Sequence, residues 1–450
     1  MITKNIEGVL IRGKWLSKSY IKQMLNYTES VRGEGLMSII VDNIPTIDLS
    51  KDQKRQVVVD REKGRYLGHV STTLLSDQTT IYAVYIMGHG RGQAVMKKSP
   101  DGGQTWSERL EVPESWSTML QVPVIYRLSD EHGKERLVLF TGHHPIRMSD
   151  SEDNGLSWSE LAPIGDFGGN VSMSDIVHLN NGRYMAFFHD DGRFLDKKNE
   201  VRFQLYKSVC DKKSKVELYK SYKNNDSKWS IPELDKRTTI DGQLSWSKPK
   251  LIYESYAGKR KKGATSVIYR TISDDGGKTW GNPVPIASHK DAYLGEPGAF
   301  YSPDRKQLAL IFRENTRNYN SFVSYSNDDG KTWCEPYEIS SELTGDRHNI
   351  CYYNDGRVVI TFRDSNKDSS THGDWVVWVG KYDDIINGNK GQYRIRLMKN
   401  YYKDDCGYSG LELLKDGTFV ATSYGHWIED EKPYIVSVRF KLEDLERQYL

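Results

Sequence analysis

The sequence predicts an all-β protein built as a six-bladed β-propeller. Two observations carry this. One octet, S-x-D-x-G-x-[TS]-W, recurs along the chain, and short strand-like runs broken by turn dipeptides recur with it. The octet reads Ser99-Pro100-Asp101-Gly102-Gly103-Gln104-Thr105-Trp106 and returns at 273–280 and 326–333. A looser copy stands at 151–158 and a decayed one at 241–246. Its logic is local. The Asp side chain caps backbone N–H groups, Gly takes a positive φ, hydroxyls tie the loop across itself, and Trp plugs the turn against neighbouring strands. The octet is a folding element and has no catalytic role.

In chain order, residues 1–60 carry no repeat and are expected to be a lead-in segment packing on a propeller at 61–450. Within them, 13–27 reads as a short helix and 56–59 as a strand. Units then start near Tyr66, Leu120, Val171, Gly295, Arg347 and Tyr408, several with a clear first turn, such as Asn180-Asn181-Gly182 or Lys415-Asp416-Gly417. Six such units argue for ring closure, which protects strand edges. The third unit is interrupted at about 207–263 by an insertion, expected to be a hairpin or flap. Its basic runs, around Lys212-Lys213 and Lys259-Arg260-Lys261-Lys262, read as a solvated face.

The 450 residues carry 63 basic and 61 acidic side chains, a net +2 that calls for neither nucleic acid nor an anionic membrane. No apolar run approaches a membrane span. Residues 1–7 lack a signal-peptide core, so a cytoplasmic location is expected unless the chain is trimmed. The four cysteines, Cys210, Cys334, Cys351 and Cys406, include no C-x-x-C pair, and no H-x-x-x-H spacing occurs. Neither a metal nor a cofactor is expected, and the thiols fit a reduced compartment or burial. The 28 tyrosines suit strands as well as sugar-binding surfaces.

In a propeller unit the first two strands run antiparallel, so the start of one and the end of the next share a face. Unit by unit, that face receives His69 with His89 and Arg91, then Gln121 with His143 and His144. It next receives Ser172 and Ser174 with His189, Asp190, Asp191 and Arg193, then Glu296 with Arg313 and Glu314. Arg347 and His348 follow with Arg363 and Asp364, and last Tyr408 with Tyr424, His426 and Trp427. Seven of the eleven histidines fall at these positions. Polar groups converging on one concavity are the default site hypothesis.

The octet is the Asp-box, or BNR, repeat, and with it the chain resembles the sialidase superfamily over roughly 66–442. Glu296-Pro297, followed by a strand, a turn and Arg313, is similar to the sialidase segment holding a glutamate and a carboxylate-binding arginine. Cys406-Gly407-Tyr408-Ser409-Gly410-Leu411 ahead of Lys415-Asp416-Gly417-Thr418 is similar to the sialidase tyrosine motif. The resemblance implies Tyr408 as nucleophile, Glu296 as its base, and Arg313 with Arg363 or Arg347 as ligands of a sugar carboxylate. His69, His189, His348 and Trp427 join them as substrate-binding candidates from the shared face. The first unit departs from the family. Tyr66-Leu67-Gly68-His69-Val70 lacks the Arg-Ile-Pro arginine, and the loop Gly88-His89-Gly90-Arg91-Gly92-Gln93 lacks a carboxylate. Arg91 stands as a replacement arginine, and His89, Asp190 and Asp191 as candidate acids. The implied function is a retaining exo-glycosidase removing a terminal acidic sugar, sialic acid or a related ulosonic acid, from a glycan or glycoconjugate. The alternatives are a uronic-acid-directed lyase or glycosidase using Tyr408 and a histidine, a non-catalytic glycan-binding propeller, and a metal site in the histidine ring.

Overall fold

The computed structural model describes residues 8–11, 14–17, 44–195, 200–210, 213–223, 233–234, 249–259, 263–402 and 404–450. The chain divides into two compact units, Met1–Ile40 and Val41–Leu450. In the first, Gly8–Ile11 pairs antiparallel with Lys14–Ser17. Lys14–Ser17 is therefore a strand where the sequence suggested the start of a helix. Val9, Ile11 and Trp15 are strand formers, and only two residues separate the runs, the spacing of a tight hairpin. Residues 18–27 lie outside the described residues, as does the decayed octet at 241–246.

The larger unit is all-β and starts well before residue 61. Its main body is six sheets, antiparallel apart from one added strand. The first joins Gly68–Leu74, Ile81–Ile86 and Ala94–Ser99. The second joins Val124–Ser129, Glu135–Thr141, Arg147–Ser151 and Ala162–Pro163. The third joins Val171–His178, Tyr184–Asp190, Val267–Ser273 and Val284–Ser288. The fourth joins Leu294–Tyr301, Leu308–Glu314, Phe322–Ser326 and Tyr337–Glu338. The fifth joins Gly345–Tyr352, Val358–Asp364, Trp375–Gly380 and Tyr393–Met398, and Thr46–Asp48 adds to it in parallel. The sixth joins Cys406–Leu413, Phe419–Gly425 and Tyr434–Phe440, and Gln56–Asp60 completes it.

Sheets stacked on both faces need apolar residues on both faces. Ile81–Ile86, Val358–Asp364 and Phe419–Gly425 are accordingly buried at every residue and lack the polar–apolar alternation of a half-exposed strand. Each gap between consecutive sheets holds a cluster. Ile86 and Ile125 meet between the first and second, Phe187 and Leu310 between the third and fourth, and Val420 and Ile81 between the sixth and first. The first strands are neighbours in the same order, and Cys406–Leu413 lies back against Gly68–Leu74.

The insertion is a four-stranded sheet. Val201–Cys210 lies between Lys213–Tyr222 and Lys250–Ala257, and Glu233–Leu234 sits at the edge. It is larger than a hairpin and starts before residue 207. It lies over the second sheet, where Arg147 stacks on Tyr253 with its guanidinium carbon 3.9 Å from the ring centroid.

Each octet leads out of the third strand of its sheet and grips the preceding sheet. Ser99 Oγ donates to Asp101 Oδ1 at 2.9 Å and accepts from Gly103 N at 2.7 Å, while Asp101 Oδ2 accepts from Thr105 Oγ1 at 2.6 Å. The same bonds recur at Ser151, Ser273 and Ser326. The octet's second glycine has φ +86° at Gly277, and a Cβ there would stand 2.4 Å from Leu128 in the preceding sheet. Trp280 meets Phe140 of the second sheet edge to face at 5.6 Å, and Trp333 meets Phe187 of the third at 5.9 Å. Trp106 packs with Leu414 and Val420 of the sixth sheet.

Among the described residues no helix is long and apolar enough to cross a membrane.

Candidate active site

The first strands enter the site through bulges. The register slips between Gly68 and Ser71, Gly295 and Gly298, Asp346 and Asn349, and Cys406 and Ser409. At each slip one residue takes the left-handed region: His69 at φ 57°, Glu296 at 49°, Arg347 at 58° and Gly407 at 89°. That conformation costs a residue with a Cβ about 1–2 kcal/mol. A bulge re-aims the side chain: Glu296 lines one place, and His69 and Arg347 pack on the Tyr408 ring that borders it.

That place is a cavity of about 400 Å³, the size of a small-molecule site. Its lining includes Gln121, His143, Asn170, His189, Arg193, Glu296, Arg313 and Tyr408. The Tyr408 hydroxyl donates to Glu296 Oε1 at 2.6 Å. Arg313 Nη1 lies 3.2 Å from the same oxygen and 3.4 Å from the hydroxyl. Glu296 Oε2 is buried with no hydrogen-bond partner among the described residues. Burial works against the Glu296 charge, but Arg313, Arg347 and the Tyr408 O–H outweigh it and hold the carboxyl below its ordinary range. Burial and the Glu296 charge push the Tyr408 phenol well above the usual tyrosine range. The pair is thus a carboxylate accepting from a neutral phenol. His189 accepts from the Glu296 backbone N–H on Nδ1 at 3.2 Å, and burial pushes it down to about 4, so its neutral ring carries the proton on Nε2.

Behind Arg313 stands Asp346, a residue absent from the sequence-derived candidates. Its carboxylate lies 2.9 Å from Arg313 Nε and accepts from Arg317 at 2.6 and 2.7 Å and from Arg363 Nε at 2.9 Å. Burial alone would raise it, but the three guanidiniums hold it far below the carboxylate range.

The other candidates divide. Arg347 lies over the Tyr408 ring with its guanidinium carbon 5.8 Å from the centroid, and its Nη1 is buried without a hydrogen bond among the described residues. His69 packs edge to face on Tyr408 at 4.9 Å, and burial, with His89 nearby, pushes it down to about 3. Arg363 does not line the cavity; it also bonds the Asp404 and Cys406 carbonyls. Asp190 is a turn residue whose carboxylate accepts from the Gly192, Phe194 and Leu195 amides. Asp191 is engaged by Arg193 at 2.6 Å and by the Tyr293 hydroxyl at 3.0 Å. His348 is tied to the Leu343 carbonyl at 2.8 Å, away from the cavity. Trp427 donates to Tyr434 O and packs on Trp375 in the core between the fifth and sixth sheets. Arg91 is not beside Arg313; its charge acts on Lys220 of the insertion.

Sequence reasoning also missed Asp405, next to the tyrosine motif. It accepts from Tyr66 OH at 2.7 Å and from Tyr424 OH at 3.0 Å. Among the described residues no three His, Cys, Asp or Glu side chains are grouped to hold a metal ion.

No family model matches the chain. Among curated proteins it is 24% identical over 186 residues to a sialidase of Paraclostridium sordellii, a match covering 36% of this chain and 44% of that protein. It is 32% identical over 110 residues to an exo-alpha-sialidase of Aspergillus fumigatus, covering 21% of this chain and 27% of that one. These matches span less than half the length of either relative. Among solved structures, a protein of unknown function from Dyadobacter fermentans aligns with a TM-score of 0.57 at 13% identity, covering 86% of this chain and 97% of that one. A Hadza microbial sialidase aligns with a TM-score of 0.51 at 14% identity, covering 84% and 66%. Identities this low establish likeness of fold.

Proposed function

We propose that this chain, a divergent sialidase-like protein, is a retaining glycoside hydrolase that removes a terminal acidic sugar, a sialic acid or related ulosonic acid, from a glycan. Tyr408 is the nucleophile and Glu296 its base. The observation that carries the reading is the 2.6 Å hydrogen bond from the Tyr408 hydroxyl to a buried, ionised Glu296. A phenol that titrates near 10 needs such an acceptor to attack at neutral pH. As the oxygen bonds to the anomeric carbon, its proton passes to Glu296. Arg313, beside both groups, offers a cation to a substrate carboxylate. A neutral nucleophile approaching an anionic sugar avoids the repulsion a carboxylate nucleophile would meet.

The fold belongs to the same proposal. The six sheets are six blades of a propeller within Val41–Leu450, with the Val201–Ala257 sheet as an insertion and the Asp-boxes on the outer hairpins. The cyclic order of first strands supports this, as does the grip of the 99–106 octet on the sixth sheet.

A fluorinated ulosonyl fluoride, which slows breakdown of a covalent intermediate, tests the chemistry. Mass spectrometry is expected to find one sugar on the peptide holding Tyr408 and none on the Tyr408→Phe variant. Label on another residue, or an unsaturated product from a uronic-acid polymer, would replace this reading with a different glycosidase or a lyase.

A further inference from the structure

Resting on that glycosidase reading, we propose that His89 is the general acid–base of the reaction, positioned by Tyr66 and Asp405. The Tyr66 hydroxyl donates to Asp405 Oδ1 at 2.7 Å and lies 2.8 Å from His89 Nδ1. His89 Nδ1 is itself 3.5 Å from the same carboxylate oxygen. Tyr66 spends its proton on Asp405, so His89 Nδ1 keeps its hydrogen and donates to the Tyr66 oxygen. Nε2, on the opposite edge of the ring, is the nitrogen left to exchange a proton. The side chain is 65% exposed, so Nε2 is open to substrate and water.

The position fits. His89 packs edge to face on His69 at 4.9 Å, and His69 packs in the same way on Tyr408 at 4.9 Å, so one ring separates His89 from the nucleophile. The next residue, Gly90, accepts from Gln121 N at 2.7 Å, and Gln121 lines the cavity. This bond ties the loop that carries His89 to the cavity wall, and in this assignment the leaving group departs past Gln121 toward the open Nε2. The groups facing its ring are Tyr66, His69 and Asp405. Asp405 is backed by Tyr424 and by His426 Nε2 at 3.3 Å. The hydrogen bonds from His426 and Tyr66, with the His89 ring close by, overcome burial and hold Asp405 ionised, which gives an imidazolium at His89 a counter-charge.

Nearby alternatives are occupied. Asp190 is held by the amides of its own turn, and Asp191 by Arg193 and Tyr293. His426 has both ring nitrogens engaged, Nδ1 with the Glu431 carbonyl at 2.8 Å. His69, His143 and His189 are buried and pushed down to about 3, 3 and 4, so none is an imidazolium with an acidic proton to give at neutral pH.

In the first step the Tyr408 oxygen bonds to the anomeric carbon and its proton goes to Glu296. The bond to the leaving-group oxygen breaks, and that oxygen takes the His89 Nε2 proton. In the second step water attacks the same carbon and gives its proton to Nε2. The bond to Tyr408 breaks, and the phenol recovers its proton from Glu296.

The test compares wild type and His89→Gln on two α-ketosides of N-acetylneuraminic acid. The p-nitrophenyl leaving group departs without a proton, and the methyl leaving group needs one. His89→Gln is expected to lose about 10²–10⁴-fold in kcat/KM on the methyl ketoside and less than about tenfold on the aryl one. The alkaline fall of kcat/KM on the methyl substrate should vanish with it. Tyr66→Phe is expected to move that alkaline limb while leaving KM unchanged, which a merely structural role would not do. Equal losses on both substrates, or an alkaline limb surviving in His89→Gln, would overturn the assignment and leave the Tyr408–Glu296 reading standing. A wild type inert on both ketosides and on the matching ketosides of related ulosonic acids would bring down the reading itself, and the assignment with it.

Discussion

Replacing Asp346 by Asn keeps the shape of the side chain and removes its charge. In the wild type that charge is almost wholly buried and meets Arg313, Arg317 and Arg363 within 2.9 Å. Without it, three guanidiniums face one another around a neutral amide that can accept through one oxygen only. Removing one partner of a buried ion pair costs about 3–5 kcal/mol, because the remaining charge stays desolvated and unpaired. Arg313 keeps Glu296 and Arg363 keeps the Asp404 and Cys406 carbonyls, so the expected loss is about 3–5 kcal/mol and does not grow with the number of arginines. Stabilities of folded proteins run to about 5–15 kcal/mol, so such a loss is a large share of the total. Urea unfolding followed by tryptophan fluorescence measures it, with an unchanged m-value showing that the unfolded state is the same. Free carboxylate should restore part of the loss in the variant and do little to wild type. A change under about 1 kcal/mol, or no response to carboxylate, would show that Asp346 does not hold the cluster together.

Tyr408→Phe should abolish nearly all turnover on an aryl ulosonide while lowering stability by only about 1–3 kcal/mol, the value of a hydrogen bond to a charged group. Retention of more than a tenth of kcat would sink the nucleophile assignment. His69, His143, His189 and His348 are held neutral by burial, pushed down to about 3, 3, 4 and 4. Their unfolded values lie near 6.5, so below that pH the unfolded chain binds more protons and the stability present at neutral pH is progressively lost. Each such group removes about 1.4 kcal/mol per pH unit well below 6.5 and about 1 kcal/mol across the first unit, so the four together should remove about 4 kcal/mol between pH 6.5 and 5.5. A flat denaturation midpoint across that range would contradict their burial as neutral rings. Gly277→Ala forces a Cβ onto Leu128 in a left-handed backbone and should lower the melting temperature measurably. An unchanged melting temperature would mean that the octet does not grip its neighbour.

What the sequence revealed was what is local. The octets carry their own hydrogen-bond partners within eight residues, and Glu296, Arg313 and Tyr408 stand in short motifs. Asp346 escaped notice because its partners arrive from two adjacent sheets. A signal existed, since strand register sets Asp346 directly opposite Arg363. Opposite charges at paired positions, one at the start of a first strand and one at the end of a second, could have been read as a pair. Trp427 was misjudged by a related simplification. Being near a strand end says which rim a residue is close to, but not which way its side chain turns, and Trp427 turns into the gap against Trp375. His89 and Asp405 lie more than three hundred residues apart, and only the fold brings them together.

The pairing of Gln56–Asp60 with Tyr434–Phe440 sets a timetable during synthesis. The early strand leaves the ribosome roughly 380 residues before its partner, which at about 5–20 residues per second is a wait of roughly 20–80 s. Throughout that interval Val57, Val58 and Val59 form a short β-prone run with an unpaired edge, open to any other chain. The run is fenced by Lys54 and Arg55 on one side and by Asp60, Arg61, Glu62 and Lys63 on the other. Charges flanking an unavoidable hydrophobic strand oppose its stacking with copies of itself. Those six charges guard a nascent chain whose last sheet is finished only when Tyr434–Phe440 reaches Gln56–Asp60.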